Sequence, residues 1–222
     1  MAYAISIILG YLLGTINPAA LIGRIKKINM RKSGTGNLGA TNTALLFGKK
    51  FGAAVMAFDI FKGALAVILA KVIFKEVALV AGILAGCAVV LGHMFPFYMK
   101  FKGGKGLAAY GGMILAFDPL IFLILLCLGL ICMFVFNHGI ALTMSAATFF
   151  PVLVALDNLG KPNMVFLTAA SAAISLILII RHKDNLVRSA KNEEITTRQF
   201  FKKVFGKKQA GENADQQQSE NS

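Results

Sequence analysis

LAAYGGMILAFDPLIFLILLCLGLICMFVF, Leu107–Phe136, is the stretch whose division decides the fold. A spanning helix needs about 20 apolar residues. These thirty are too many for one comfortable span and too few for two full ones. Asp118-Pro119 interrupts them as a turn does, because proline cannot donate to a helix continuing through it. The spacing predicts a short helix to about Phe117, a turn, and a second helix to about Phe136.

Further apolar runs lie on either side, at roughly 2–25, 51–74, 77–99, 139–156 and 164–180. With 57% hydrophobic and only 15% charged residues among 222, the composition excludes an ordinary soluble domain and predicts an all-α polytopic membrane protein. The net charge of +13 gives no reason to expect nucleic acid. Its cations fall in short clusters between apolar runs, as positive-inside topology demands, rather than along one soluble face. Arg24 to Lys50, Lys100 to Lys105 and Arg181 to Lys208 are the rich clusters, whereas Lys71, Lys75 and Lys161 flank the opposite turns. All three rich clusters face the cytoplasm only if 107–136 returns the chain to the side it left. That parity gives about seven transmembrane helices, N-terminus outside and C-terminus cytoplasmic; a re-entrant hairpin has the same parity.

The first run lacks a basic leader and a clear cleavage site, and is expected to be a retained helix. Cys87, Cys127 and Cys132 lie inside apolar runs without metal-ligand spacing, so they read as packing residues and no metal is expected. One membrane domain, 1–208, is followed by a polar tail, 209–222, expected to be disordered. Phe200, Phe201, Val204 and Phe205 among basic residues suit a short helix lying on an anionic membrane surface.

Three polar segments share the inferred cytoplasmic face. Ser33-Gly34-Thr35-Gly36-Asn37-Leu38-Gly39-Ala40-Thr41-Asn42 offers backbone donors, hydroxyls and carboxamides that hold phosphate oxygens or a carbonyl. Gly92-His93 leads to Lys100-Phe101-Lys102-Gly103-Gly104-Lys105-Gly106, where glycines let backbone N–H groups approach an anion and lysines supply charge. This is no nucleotide P-loop, since its spacing is wrong and Leu107 follows Gly106. Arg181-His182-Lys183-Asp184-Asn185 places a histidine and an asparagine three apart, with Glu194 beyond. Within the second run Asp59 and Lys62, also three apart, suit an ion pair on one helical face, structural or functional.

In these segments the chain resembles the bacterial acyl-phosphate:glycerol-3-phosphate acyltransferases, the PlsY family, from about Tyr11 to Glu194. Asp59 and Lys62-Gly63 match as well. The resemblance implies a multi-pass protein of the bacterial cytoplasmic membrane with its active site facing the cytoplasm. The implied reaction moves a fatty acyl group from acyl phosphate to the 1-hydroxyl of glycerol 3-phosphate, yielding lysophosphatidate and phosphate without a cofactor. It implies catalytic support from Thr35, Asn37, His182 and Asn185. Substrate binding falls to Gly34, Gly36, Thr41, Asn42, Lys62, His93, Gly103, Gly104, Lys105 and Gly106, and Glu194 holds the third motif in place. Membrane lipid and the two substrates are the expected partners; the enzyme that makes acyl phosphate is a further candidate.

Departures from the family pattern are Thr35 in a serine position, Leu45 in place of an arginine, and a poor match over 137–143. Asn137, His138 and Lys49 are the groups available to compensate. A divergent paralogue with another acceptor, and a transporter or channel for a small phosphorylated solute, stand as alternative readings.

Overall fold

A computed structural model describes residues 1–206, and among these the ordered elements are helices. In chain order they are α1 (Ala2–Thr15), α2 (Pro18–Ile25), α3 (Ala40–Phe47), α4 (Lys49–Ile73), α5 (Ala78–Met94), α6 (Leu107–Phe117), α7 (Pro119–Phe136), α8 (Ile140–Asp157), α9 (Met164–Arg181), α10 (Lys183–Ala190) and α11 (Thr197–Phe205). Among the described residues six segments are long and apolar enough to cross a membrane: Ala2–Ile25, Lys49–Ile73, Lys75–Met99, Pro119–Phe136, Ile140–Asp157 and Met164–Arg181. The tail from 209 lies outside the described residues.

The division of 107–136 is as the sequence predicts. Asp118 caps α7, its Oδ1 accepting from Ile121 N–H at 2.9 Å, and Pro119 occupies the first helical turn, where its missing N–H costs nothing. The last carbonyls of α6 face an apolar surround and need a donor. Lys71 supplies it, its ammonium donating to the Ala116 and Phe117 carbonyls at 2.9 and 2.8 Å. At eleven residues α6 is about 16 Å long, about half a hydrocarbon core.

The first run is broken rather than continuous. Pro18 cannot donate, and Asn17 turns its carboxamide oxygen to Ala20 N–H at 2.8 Å, starting α2 afresh. Ala20 N–H is the donor that a continuous helix would have aimed at the Ile16 carbonyl, so that carbonyl is left to find another partner.

Small residues set the helix packing, since van der Waals fit rather than water exclusion joins helices in lipid. Gly10 and Gly14 of α1 lie so close to the Ala85 and Val89 carbonyls of α5 that a Cβ on either would overlap them. Gly63 of α4 meets Ala109 of α6, and Gly112 of α6 meets Ile60 of α4, in the same way. The central core, including Val67, Ile83, Met113, Phe150 and Ile174, joins α4, α5, α6, α8 and α9. Tyr110 is sunk in it, bonded to Ser175 at 2.7 Å and edge-on to Phe150. Large apolar side chains such as Leu120, Ile131 and Val135 of α7 point outward, the pattern of a lipid-facing surface.

The expected amphipathic helix near the C-terminus is α11. It starts with a complete capping box at Thr196 and Gln199. Its Thr197 and Arg198 N–H groups donate to the Asn137 carbonyl and carboxamide oxygens, and Phe201 stacks between Phe134 and Phe205.

Candidate functional site

The loop between α5 and α6 is built by backbone bonds back onto the end of α5. Gly104 N–H donates to the His93 carbonyl at 3.1 Å and Gly103 N–H to the Met94 carbonyl at 2.9 Å. Neither glycine has room for a side chain: a Cβ on Gly103 would overlap the His93 carbonyl, and one on Gly104 the His93 ring. Tyr11 and Tyr98 donate to the Phe95 and Thr15 carbonyls, anchoring the loop to α1. Arg181, stacked on Phe95, donates to the Gly104 carbonyl at 3.1 Å. The first polar segment is organised around Asn42, which is fully buried. Its oxygen accepts from Thr35 N–H at 2.7 Å and its NH₂ donates to the Met30, Ser33 and Asn37 carbonyls.

These supports shape a cavity of about 320 Å³. Its mouth is polar, formed by Asn37, Gly39, Thr41, His93, Lys105 and His182, with Asp59 behind. Its body is apolar, running between α4, α6, α7 and α8 past Met56, Ile60, Ile114, Phe122, Leu125 and Leu142. Of the expected site residues, Asn37, Thr41, His93, Lys105, Gly106 and His182 lie on its wall. Gly34, Thr35 and Gly36 belong to the adjoining loop, and Gly103 and Gly104 to the turn that carries Lys105, none of them on the wall. Asn42 has its oxygen and its NH₂ both engaged inside the protein, which fits a loop organiser rather than a ligand group. Lys62 is 1% exposed and stands behind the wall, ion-paired with Asp59 and hydrogen-bonded to His93 and the Ile16 carbonyl.

Lys105 forms neither hydrogen bond nor ion pair among the described residues, so its donors are available to a ligand. Burial, and then the neighbouring Arg188 guanidinium, hold its ammonium below the ordinary lysine range, a strain that a bound anion relieves. His182 caps the end of α9. Its Nδ1 lies 2.9 Å from the Leu178 carbonyl, which only accepts, so Nδ1 carries the proton and Nε2 is left as an acceptor. Burial pushes the ring down to about 4, with the Lys105 and Arg181 charges acting in the same direction. Asn185 donates to Glu194 at 2.6 Å and Arg188 pairs with the other Glu194 oxygen at 2.7 Å, so Glu194 clasps α10 where it stands. Asn185 Oδ1 is buried without a hydrogen-bond partner among the described residues.

The groups expected to compensate for Leu45 are elsewhere. Asn137 serves the α11 cap, Lys49 covers the Phe205 ring, and neither they nor His138 reach the cavity. The apolar body of the cavity has no signature in the sequence, because its leucines and isoleucines look like any others on spanning helices. Arg181 was visible only as a basic helix end.

The sequence model of the family described as glycerol-3-phosphate acyltransferase matches residues 4–192. Two relatives of the same description, from Streptococcus pyogenes serotype M5 (strain Manfredo) and serotype M49 (strain NZ131), are each 36% identical over 197 residues, covering 85% of this chain and 90% of theirs. The crystal structure of PlsY, an integral membrane glycerol 3-phosphate acyltransferase, in its glycerol 3-phosphate form superposes with a TM-score of 0.76 at 32% identity, covering 88% of this chain and 96% of that one. Its lysophosphatidic acid form gives 0.78 at 28% identity, covering 90% and 99%.

The buried neutral His182 makes stability depend on pH. Its folded value of about 4 lies below the ordinary 6.5, so between these values the unfolded chain binds more protons. The stabilisation is complete above pH 6.5 and is lost as pH falls toward 4. Between about pH 7 and about pH 5 the loss is about 2 kcal/mol at this site. Unfolding midpoints in detergent at the two pH values should converge in His182→Gln relative to the wild type.

Proposed function

The chain belongs to the glycerol-3-phosphate acyltransferase family, and on that premise we propose that its cavity joins a fatty acyl group from acyl phosphate to the 1-hydroxyl of glycerol 3-phosphate. The observation that carries the reading is the cavity itself, apolar between spanning helices and rich in donors at one end around Lys105. The acyl chain lies in the apolar body. The phosphates of donor and acceptor lie at the mouth, near Lys105, His93 and the Asn37 and Thr41 side chains. Gly103, Gly104 and Gly106 let the loop carry Lys105 there without side chains in the way.

The hydroxyl oxygen of glycerol 3-phosphate attacks the acyl carbonyl carbon. The C–O bond to phosphate then breaks, giving lysophosphatidate and inorganic phosphate. An acyl phosphate already has a good leaving group, so the protein contributes position and charge stabilisation. His182 Nε2 accepts a hydrogen bond from the attacking hydroxyl and orients it. A ring with a value of about 4 is too weak a base to keep that proton, so it ends on the departing phosphate. Thr35 and Asn185 act from just behind the mouth, by fixing the first loop and α10. The transporter reading is not favoured: the relatives named above are acyltransferases, and the polar groups gather at one end of the cavity rather than along a path.

The mouth lies on the side of the Arg24–Lys50 and Lys100–Lys105 clusters, which supports a cytoplasmic active site in the bacterial inner membrane. With α6 counted as a short seventh crossing, the N-terminus is outside and the C-terminus inside. Contact with the enzyme that makes acyl phosphate would bring the donor to this same face.

Purified protein supplied with acyl phosphate and glycerol 3-phosphate should form lysophosphatidate and phosphate, and the absence of product at every chain length would overturn the reading. Lys105→Ala should raise the KM for glycerol 3-phosphate about tenfold or more, the loss of a charged hydrogen bond of about 1.5–3 kcal/mol. Gly111 lines the cavity, and a Cβ there meets only the Phe122 ring at 3.7 Å. Gly111→Leu should therefore fold and shift the preference toward shorter acyl phosphates, seen by comparing kcat/KM across chain lengths. A cysteine at position 118 should react with a membrane-impermeant reagent outside intact cells; reaction from the cytoplasmic side alone would remove the seventh crossing.

A further inference from the structure

Lys62, Asp59 and His93 form a buried cluster of ionisable groups, each 3% exposed or less. The Lys62 ammonium donates to the Ile16 carbonyl at 2.6 Å and lies 2.9 Å from His93 Nδ1, while Asp59 Oδ1, at 2.7 Å, is its ion-pair partner and accepts no hydrogen bond among the described residues. The carbonyl accepts only, which assigns one proton, and the carboxylate supplies the opposite charge. A neutral amine would leave the Asp59 carboxylate as an unpaired charge in an apolar interior, a far costlier state. An ammonium has only donors, so its contact with His93 Nδ1 is made by another of its protons. A proton on that nitrogen would set two donors 2.9 Å apart, and the competing Asp59 contact is longer, at 3.3 Å. Nδ1 is the acceptor, and the imidazole proton resides on Nε2.

Nε2 is the edge of the ring beside Gly104, where a Cβ would overlap it, and it has no hydrogen-bond partner among the described residues. His93 is also part of the cavity wall next to Lys105. We propose that Lys62 is a positioning residue: charged and held by Asp59 and the Ile16 carbonyl, it locks His93 as an Nε2–H donor for the phosphate of glycerol 3-phosphate. The two histidines of the mouth then have opposite polarity. His93 offers a proton to the anion, and His182 offers a lone pair to the hydroxyl. The inference rests on the proposed acceptor for its ligand, but the tautomer itself does not.

Selective ¹⁵N labelling of the imidazoles distinguishes the two tautomers by chemical shift. The chain has three histidines, and His93→Gln assigns the signal of interest. Wild-type protein in detergent should show His93 protonated at Nε2. In Lys62→Met the Asp59 carboxylate becomes the only polar neighbour of Nδ1, so the proton should move to Nδ1. The KM for glycerol 3-phosphate should then rise about tenfold or more, with a smaller fall in kcat. Asp59→Asn keeps an oxygen for Lys62 and should retain the Nε2 proton. If Lys62→Met does not fold, Asp59→Leu with Lys62→Met removes both charges together, and exchange between the two tautomers with the same rise in KM is expected. A wild-type His93 protonated at Nδ1, or an unchanged tautomer in the variant that folds, would overturn the lock. If the wild type shows the Nε2 proton yet makes no lysophosphatidate, the proposed reaction falls and the lock stands.

Discussion

One ammonium joins the parts of this protein that the sequence keeps apart. Lys62 projects from α4, takes the Ile16 carbonyl released where Asn17 and Pro18 break the first run, and reaches the His93 ring near the end of α5. Each of these groups alone is a liability in an apolar interior: an orphan carbonyl, a carboxylate, an ammonium and an unsatisfied imidazole. Together they cancel, and in doing so they fix the distance between α1, α4 and α5 behind the cavity wall. The break at Pro18 is thus part of the site, because a continuous helix would have consumed the carbonyl that Lys62 holds.

Close helix approach does the complementary work. Gly10 and Gly14 bring α1 onto α5, and Gly63 and Gly112 bring α4 onto α6, with backbone carbonyls where side chains would otherwise stand. Ile60 is consequently beside the α6 backbone, and the space left between α4, α6, α7 and α8 becomes the apolar body of the cavity. The mouth needs a different device, since loops have no helix packing to hold them. Here buried amide and guanidinium groups substitute: Asn42 gathers the first loop, Arg181 and two tyrosines hold the glycine loop, and Glu194 clasps α10.

What was legible in the chain follows the same division. Asp118-Pro119 announced the turn between α6 and α7, and the i,i+3 spacing of Asp59 and Lys62 announced their pairing, because both are local. The three polar segments were legible as one site through charge asymmetry and family resemblance. The roles inside them were less so. Thr35 and Asn42 carry the right chemistry for a ligand, yet Asn42 engages its oxygen and its NH₂ with the backbone of its own loop, a use that depends on where Met30 and Ser33 fold. Lys62 looked like a substrate cation for the same reason. The break at Asn17-Pro18 was readable from proline chemistry, but an apolar count over 2–25 passes over it.

The mouth of the cavity is sparingly charged. Lys105 is the one lysine or arginine on the wall among the described residues; Arg181 is committed to Gly104, Arg188 to Glu194, and Leu45 adds none. The Asp59 carboxylate behind the mouth is neutralised by Lys62 rather than by substrate, and burial keeps His182 neutral. A phosphate at this mouth therefore meets one unpaired ammonium and neutral donors, with the Arg188 and Arg181 charges close behind. Such a mouth attracts anions without gripping them. That is suited to a reaction in which one phosphate must leave after every transfer, since charge that bound the product as firmly as the transition state would slow its release.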